Sequence, residues 1–197
     1  MKVGTVARFI DSKEDGTVFA ICDIPHDTTP DSMKTQLSVA CSKGRITRLM
    51  RGIYYKPKYN VLIKKMIPFN PDNVAQAIAR NNGWHIIPEG NACMNLIGIS
   101  TQVPAHFIYY SDGPYKRYDI DGTVIEFRHK SPRNMPKSQN LGIVIHGLKA
   151  KGKDNISSND MQKIADYIKS NDVRISSEEL GNTTRWIRDL LKEAIDE

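Results

Sequence analysis

The stretch CSKGRITRLMRGIYYKP, residues 41–57, decides how the first part of this chain folds. Apolar and polar side chains alternate through RITRL, with Ile46 and Leu49 able to turn inward. The chain then turns at residues 50–52 and returns through GIYYKP, which predicts a β-hairpin. The segment carries five basic residues and no acidic one. We therefore expect a cationic hairpin that can lie along a polyanion.

The segment immediately before the hairpin predicts a helix from Pro30 to Lys43. Thr29 suits the N-cap, Pro30 suits the first helical position, and Gly44 suits the C-terminal end. One apolar stripe should face the core: Met33, Leu37, Ala40 and Cys41. The opposite face is small, polar and lightly basic, so it can enter a DNA major groove about 12 Å wide.

Two further elements precede this helix. MKVGTVARFIDSK places Val3, Val6, Ala7 and Ile10 at helical spacing, and TVFAICDIP reads as a short strand followed by a compact turn that stops at Pro25. The order helix, strand, helical turn, capped helix and basic hairpin is that of a winged helix-turn-helix. We expect this domain to span residues 1–65.

The charge distribution points to the same part of the chain. Residues 1–65 contain 12 Lys and Arg against 6 Asp and Glu, whereas residues 66–197 contain 16 of each, so the net charge of +6 belongs to the first third. No acidic residue lies between Asp31 and Asp72. This concentration predicts an anionic partner, with double-stranded DNA first and an anionic membrane surface second.

The predicted DNA-binding residues fall into two groups. Phosphate contacts are expected from the C-terminal end of the helix and from the hairpin, and base contacts from the outward helical face. The first group is Lys43, Arg45, Arg48, Arg51 and Lys56, with Thr47 beside them. The second is Lys34, Thr35, Gln36 and Ser38.

The remainder of the chain predicts a second domain over residues 66–197, of mixed α/β type. A boundary is expected at NVLIKKMIPFNPDN, where Pro68 and Pro71 interrupt regular structure. Helices are expected at PDNVAQAIARNNG, SNDMQKIADYIKS and TTRWIRDLLKEAID, strands at WHII and HFIYYS, and a hairpin at KRYDIDGTVIEFRHK. The whole chain is therefore expected to be α+β.

Motifs for catalysis are weak. GLKAKGKD, residues 147–154, fits a phosphate loop only until Asp154, where Ser or Thr should bind magnesium, and a solvated lysine-rich turn explains it better. Asp119, Asp121 and the segment 126–128 resemble a nuclease site only faintly, because arginine cannot act as a base. We predict no enzyme, cofactor or metal. A nuclease or nucleotide-using enzyme carried by a winged-helix arm stays an alternative.

An RNA-binding module is the other open alternative. It would need exposed aromatic rings on which bases stack, and Tyr54 and Tyr55 are the aromatic residues of the basic segment, one of which is expected to face outward. The three cysteines lie far apart and are expected to be buried thiols. No apolar run is long enough to span a membrane, and early acidic residues disfavour a signal peptide, so a cytoplasmic location is expected.

Two segments carry a resemblance to a known family. QLSVACSKGRITRLMRGIYYKP (36–57) and GWHIIPEGNACMNLIGISTQVPAHFIYYSDG (83–113) resemble the AbiEi-type antitoxins of type IV toxin–antitoxin systems, which act in abortive infection. The likeness extends from about residue 2 to about residue 195. It implies an N-terminal domain that represses its own promoter and a C-terminal domain that counters a nucleotidyltransferase-like toxin, directly or indirectly. A monomer and a homodimer on DNA both fit this expectation.

Overall fold

The computed structural model describes residues 4–102, 106–175, 180 and 183–196. By its contacts the chain divides into an N-terminal unit, Met1–Trp84 with Asp119–Thr123, and a C-terminal unit, His85–Tyr118 with Val124–Glu197. The described part contains seven α-helices and three β-sheets. The predicted α+β class is confirmed.

The N-terminal unit begins with the elements that the sequence predicts. They are α1 (Thr5–Asp11), β1 (Val18–Ala20), a 3₁₀ turn (Ile21–Asp23), α2 (Pro30–Ser42), β2 (Thr47–Met50) and β3 (Ile53–Tyr55). The three strands form an antiparallel sheet in the order β1-β3-β2. α2 begins as predicted, because the Thr29 hydroxyl accepts a hydrogen bond from the Ser32 amide at 3.3 Å. Val3 lies outside the described residues.

One apolar core holds α1 and α2 against the sheet. Phe19 of β1 lies between Phe9, at 5.2 Å between ring centroids, and Tyr54 of β3, at 5.6 Å. The buried residues of this core are Val6, Ile10, Phe19, Ile24, Met33, Leu37, Ala40, Ile46 and Tyr54. Cys41, expected in the same stripe, is only partly buried. Since this stripe is fixed in the core, the opposite face of α2 is turned to solvent.

The chain after β3 departs from the predicted domain boundary. Residues 58–67 form a second antiparallel hairpin, β4 (Lys58–Asn60) and β5 (Lys65–Ile67), and α3 (Pro71–Asn82) follows. α3 packs against β1 and β3 through an apolar face that includes Val74 and Ile78. The N-terminal unit therefore continues to Trp84, beyond the division expected at residues 65 and 66.

The described part of the C-terminal unit combines one sheet with four helices. Its elements are β6 (Ile86–Pro88), α4 (Gly90–Ile97), β7 (Phe107–Ser111), β8 (Lys116–Ile120), β9 (Thr123–His129), α5 (Gln139–Lys151), α6 (Ser158–Ser170) and α7 (Arg185–Asp196), except that the end of β8 and the first residue of β9 fall in the segment Asp119–Thr123. The strand order is β6-β7-β9-β8, and β7 and β9 are parallel. The predicted turn at residues 121 and 122 is present, with positive φ at both.

Two helices of this unit, α4 and α5, were not predicted. α5 is buried on every side from Leu141 to Leu148, so its sequence lacks the polar stripe that marks a surface helix. The lysine-rich turn expected over residues 147–154 is wrong in its first part, because residues 147–151 continue α5 and Gly147 is buried. None of the described helices is long and apolar enough to cross a membrane.

A candidate nucleic-acid interface

The outward face of α2 carries small polar side chains, as predicted. Lys34, Thr35 and Ser38 are exposed, and the Thr35 hydroxyl donates to the Asp31 carbonyl at 2.9 Å. The sequence pattern missed Val39, whose side chain is 45% exposed on the same face. An apolar side chain among polar ones suits contact with the methyl group of thymine.

Gln36 was expected to read bases, and the structure gives it another role. Its side-chain oxygen accepts a hydrogen bond from the Val6 amide at 3.2 Å, and its nitrogen donates to the Ser32 hydroxyl at 3.1 Å. The N-cap residue of α1, Gly4, has no side chain that could cap the helix. Gln36 therefore supplies the missing acceptor, and its half-buried side chain is turned toward α1.

The β2–β3 hairpin presents the predicted basic side chains beside α2. Thr47, Arg48 and Arg51 are exposed, with Arg51 in the turn itself. Arg48 stands opposite Tyr54 in the strand register, and its Nε donates to the Met50 carbonyl at 3.4 Å.

The positive charge of Arg48 also affects two side chains near it, one on α2 and one on β3. Burial raises the pKa of the Cys41 thiol, and Arg48 partly opposes that shift. Burial likewise raises the pKa of Tyr54, again opposed by Arg48. Arg48 of the hairpin therefore interacts electrostatically with Cys41 in the last turn of α2 and with Tyr54 of β3.

Two of the predicted phosphate contacts are engaged in ion pairs. Arg45 pairs with Asp11 at the end of α1. Lys56 lies 3.1 Å from Asp15, donates to the Lys13 carbonyl at 2.6 Å, and keeps only 20% of its side chain exposed. These two cations tie the ends of the sheet to α1 and to the loop after it. Arg45 and Lys56 are therefore partly neutralised within the N-terminal unit.

The other predicted cations keep their charge available. Among the described residues, Lys43, Arg48 and Arg51 have no carboxylate within ion-pair distance. Lys34 pairs with Asp31 at 3.4 Å, but both side chains are largely exposed, and such pairs contribute little. Of the predicted phosphate contacts, those without an ion pair therefore lie at the end of α2 and in the β2–β3 hairpin, and we call these three residues the helix-and-hairpin edge.

The carboxylates considered for a nuclease site take part in ion pairs and in a turn. Glu126 accepts from Arg128 at 2.7 Å, and Arg128 also reaches Glu89 at 3.3 Å, while Asp119 accepts from the Gly122 amide at 3.0 Å. Within the described ranges, no group of three or more metal-binding side chains converges.

Two expectations about single side chains are wrong. One of Tyr54 and Tyr55 was expected to face outward as a stacking platform, yet both are buried, at 7% and 6% exposure. All three thiols were expected to be buried. Only Cys93 is, whereas Cys22 is exposed.

The protein is thus an α+β chain. Its N-terminal unit presents basic side chains without ion-pair partners at the end of α2 and in the β2–β3 hairpin. The chain belongs to a family of unknown function, DUF6088, whose model matches residues 5–175. No curated protein matches the chain.

Proposed function

We propose that this chain is a DNA-binding transcriptional repressor and antitoxin, without catalytic activity, that acts in the cytoplasm. In this proposal the elements α1 to β3 are a winged helix-turn-helix. Their order along the chain and the strand order β1-β3-β2 support it. α2 is the recognition helix, and the β2–β3 hairpin is the wing.

One observation carries the DNA-binding proposal. Lys43, Arg48 and Arg51 are exposed and lack carboxylate partners among the described residues, although Arg45 and Lys56 beside them are paired. These three cations lie at the end of α2 and in the β2–β3 hairpin, which would be the recognition helix and the wing of a winged helix-turn-helix. DNA phosphates would neutralise these charges, while Lys34, Thr35, Ser38 and Val39 read bases.

The salt dependence of binding tests this proposal. Each neutralised phosphate contributes about −0.9 to the slope of log affinity against log salt concentration, so Arg48→Ala/Arg51→Ala should flatten the slope by about 1.8. The ligand is duplex DNA from upstream of the chain's own coding sequence, and affinity is followed by fluorescence anisotropy.

The matched control is Arg174→Ala/Arg185→Ala, which removes two arginines whose side chains are each 90% exposed in the C-terminal unit. It should leave the slope unchanged. Equal slopes for the wild type and the Arg48/Arg51 variant, or equal losses in both variants, would contradict the assignment of this edge.

The antitoxin part of the proposal rests on the resemblance of residues 36–57 and 83–113 to AbiEi-type antitoxins. In this proposal the C-terminal unit counters a nucleotidyltransferase-like toxin. Co-expression with such a gene from the same operon should restore growth, and residues 85–197 should be required. Growth arrest that the full-length chain does not relieve would refute this part and leave the DNA-binding part untouched.

A further inference from the structure

The β4–β5 hairpin, residues 58–67, exposes an unusual amount of apolar surface. Eight large apolar side chains are strongly exposed in the described part of the chain, and five belong to this hairpin. They are Tyr59 at 54%, Val61 at 76%, Leu62 at 92%, Ile63 at 57% and Met66 at 54%. A contiguous exposed apolar patch on a small protein commonly marks an interaction site.

The apolar tip is held by hydrogen bonds. The side-chain oxygen of Asn60 accepts from the amides of Leu62 at 2.9 Å and Ile63 at 3.3 Å. At the base, the Tyr55 hydroxyl donates to the Ile67 carbonyl at 2.7 Å. The hairpin is thus anchored to β3 while Val61, Leu62 and Ile63 remain in solvent, so the apolar residues are presented in a defined shape.

The two faces of the hairpin differ in chemistry. In the strand register Tyr59 stands opposite Met66, so these two side chains share a face. The adjacent pairs place Lys58 opposite Ile67 and Asn60 opposite Lys65. Because successive residues alternate, Lys58 and Lys65 point to the other face. Lys64 lies in the turn. Lys58, Lys64 and Lys65 therefore border the apolar tip, residues 61–63, and the apolar face formed by Tyr59 and Met66. The hairpin itself contains no carboxylate.

We propose that residues 61–63 enter the minor groove of duplex DNA and insert between base pairs, with the three lysines on the flanking phosphates. This inference rests on the proposed DNA-binding function. Apolar wedges bordered by basic residues bind DNA in this way, and they kink it by about 20–90°. The minor groove of undeformed DNA is only about 6 Å wide, so a two-stranded ribbon must open it to enter.

Charge and position favour DNA over other occupants. The hairpin lies inside the acid-free segment, residues 32–71, that also contains α2 and the β2–β3 hairpin. β3 connects the two hairpins: it is the second strand of the β2–β3 hairpin, and the β4–β5 hairpin follows it directly along the chain. One duplex can neutralise both hairpins. A second copy of the chain would instead bring two sets of like-charged lysines together.

Bending of DNA by the full-length protein tests the inference. The probe is the upstream duplex labelled at both ends, and energy transfer between the labels reports the bend. Wild type should shorten the end-to-end distance. Leu62→Ser should abolish the bend and weaken affinity by about 10-fold to 100-fold, the factor that burial of one leucine side chain contributes. Leu96→Ser, which changes a leucine that is 52% exposed on α4, should do neither.

The outcomes separate this inference from the proposed function. If Leu62→Ser bends and binds DNA as wild type does, while Arg48→Ala/Arg51→Ala weakens binding, the wedge is wrong and DNA binding stands. If wild type does not bind the duplex, both are wrong.

Three further results would assign the tip elsewhere and overturn the inference. Leu62-dependent binding to vesicles of phosphatidylcholine and phosphatidylserine in equal parts would assign it to a membrane. A Leu62-dependent dimer in solution would assign it to a second copy. If Leu62→Ser abolishes toxin neutralisation but leaves DNA bending intact, the tip would be assigned to a protein partner.

Discussion

Replacing Gln36 by alanine tests whether this side chain caps α1 or reads DNA. The Gln36 side-chain oxygen accepts from the Val6 amide at 3.2 Å, and this amide belongs to the first turn of α1, where the helix itself offers no acceptor. Gly4 allows the close approach, since a Cβ at that position would lie 2.4 Å from the same oxygen. The truncation leaves the Val6 N–H without its partner.

The expected cost follows from these contacts. Loss of an N-terminal capping acceptor lowers the free energy of unfolding by about 1 kcal/mol. The bond to Ser32 at 3.1 Å adds only a few tenths, because it lies partly in solvent. With a urea m value of about 1 to 2 kcal/mol/M, the midpoint for the N-terminal unit should fall by about 0.5–1 M.

Urea unfolding followed by circular dichroism, with hydrogen exchange at the Val6 amide, measures this effect. Gln36→Glu keeps an acceptor at the positive end of α1 and should retain wild-type stability. Gln162→Ala is the matched control, since it removes an exposed pair with Asp166 on α6 and should cost at most about 0.5 kcal/mol. Unchanged stability of Gln36→Ala, together with altered preference among DNA sequences, would refute the capping role.

Three further predictions concern the C-terminal unit. Gly90→Ala should lower the free energy of unfolding by about 1–3 kcal/mol, measured by urea titration, because the new Cβ would lie 2.9 Å from a backbone oxygen of α5. Burial would raise the pKa of Asp160, but hydrogen bonds from Ser157 and the ion pair with Lys151 outweigh it and lower that pKa. The stability from Asp160 is thus present above its unfolded pKa of about 4 and lost as pH falls through the folded value, and Asp160→Asn should flatten thermal stability against pH there. Burial raises the pKa of Cys93 to about 12, so iodoacetamide at pH 8 should modify the exposed Cys22 first, as peptide mass spectrometry would show.

Local signals were sufficient for the elements whose cause is local. Thr29 and Pro30 mark the start of α2 because capping and a fixed φ act within one turn of helix. The turn at residues 121 and 122 followed from Asp-Gly, which tolerates positive φ. The excess of basic residues in the first third of the chain likewise follows from the sequence alone, since it needs only a count of residues.

Tertiary structure decided what each side chain contacts. Arg45 and Arg48 look alike in the sequence, yet α1 brings a carboxylate to Arg45 alone. Gln36 is 30 residues from the amide that it caps. Residues 58–67 looked like part of a domain boundary, and only strand pairing reveals a hairpin with an apolar tip. Composition and local spacing determined the α+β class and the distribution of net charge. Which basic side chains lack an ion pair, and which apolar side chains are exposed, depends on contacts between residues distant in sequence.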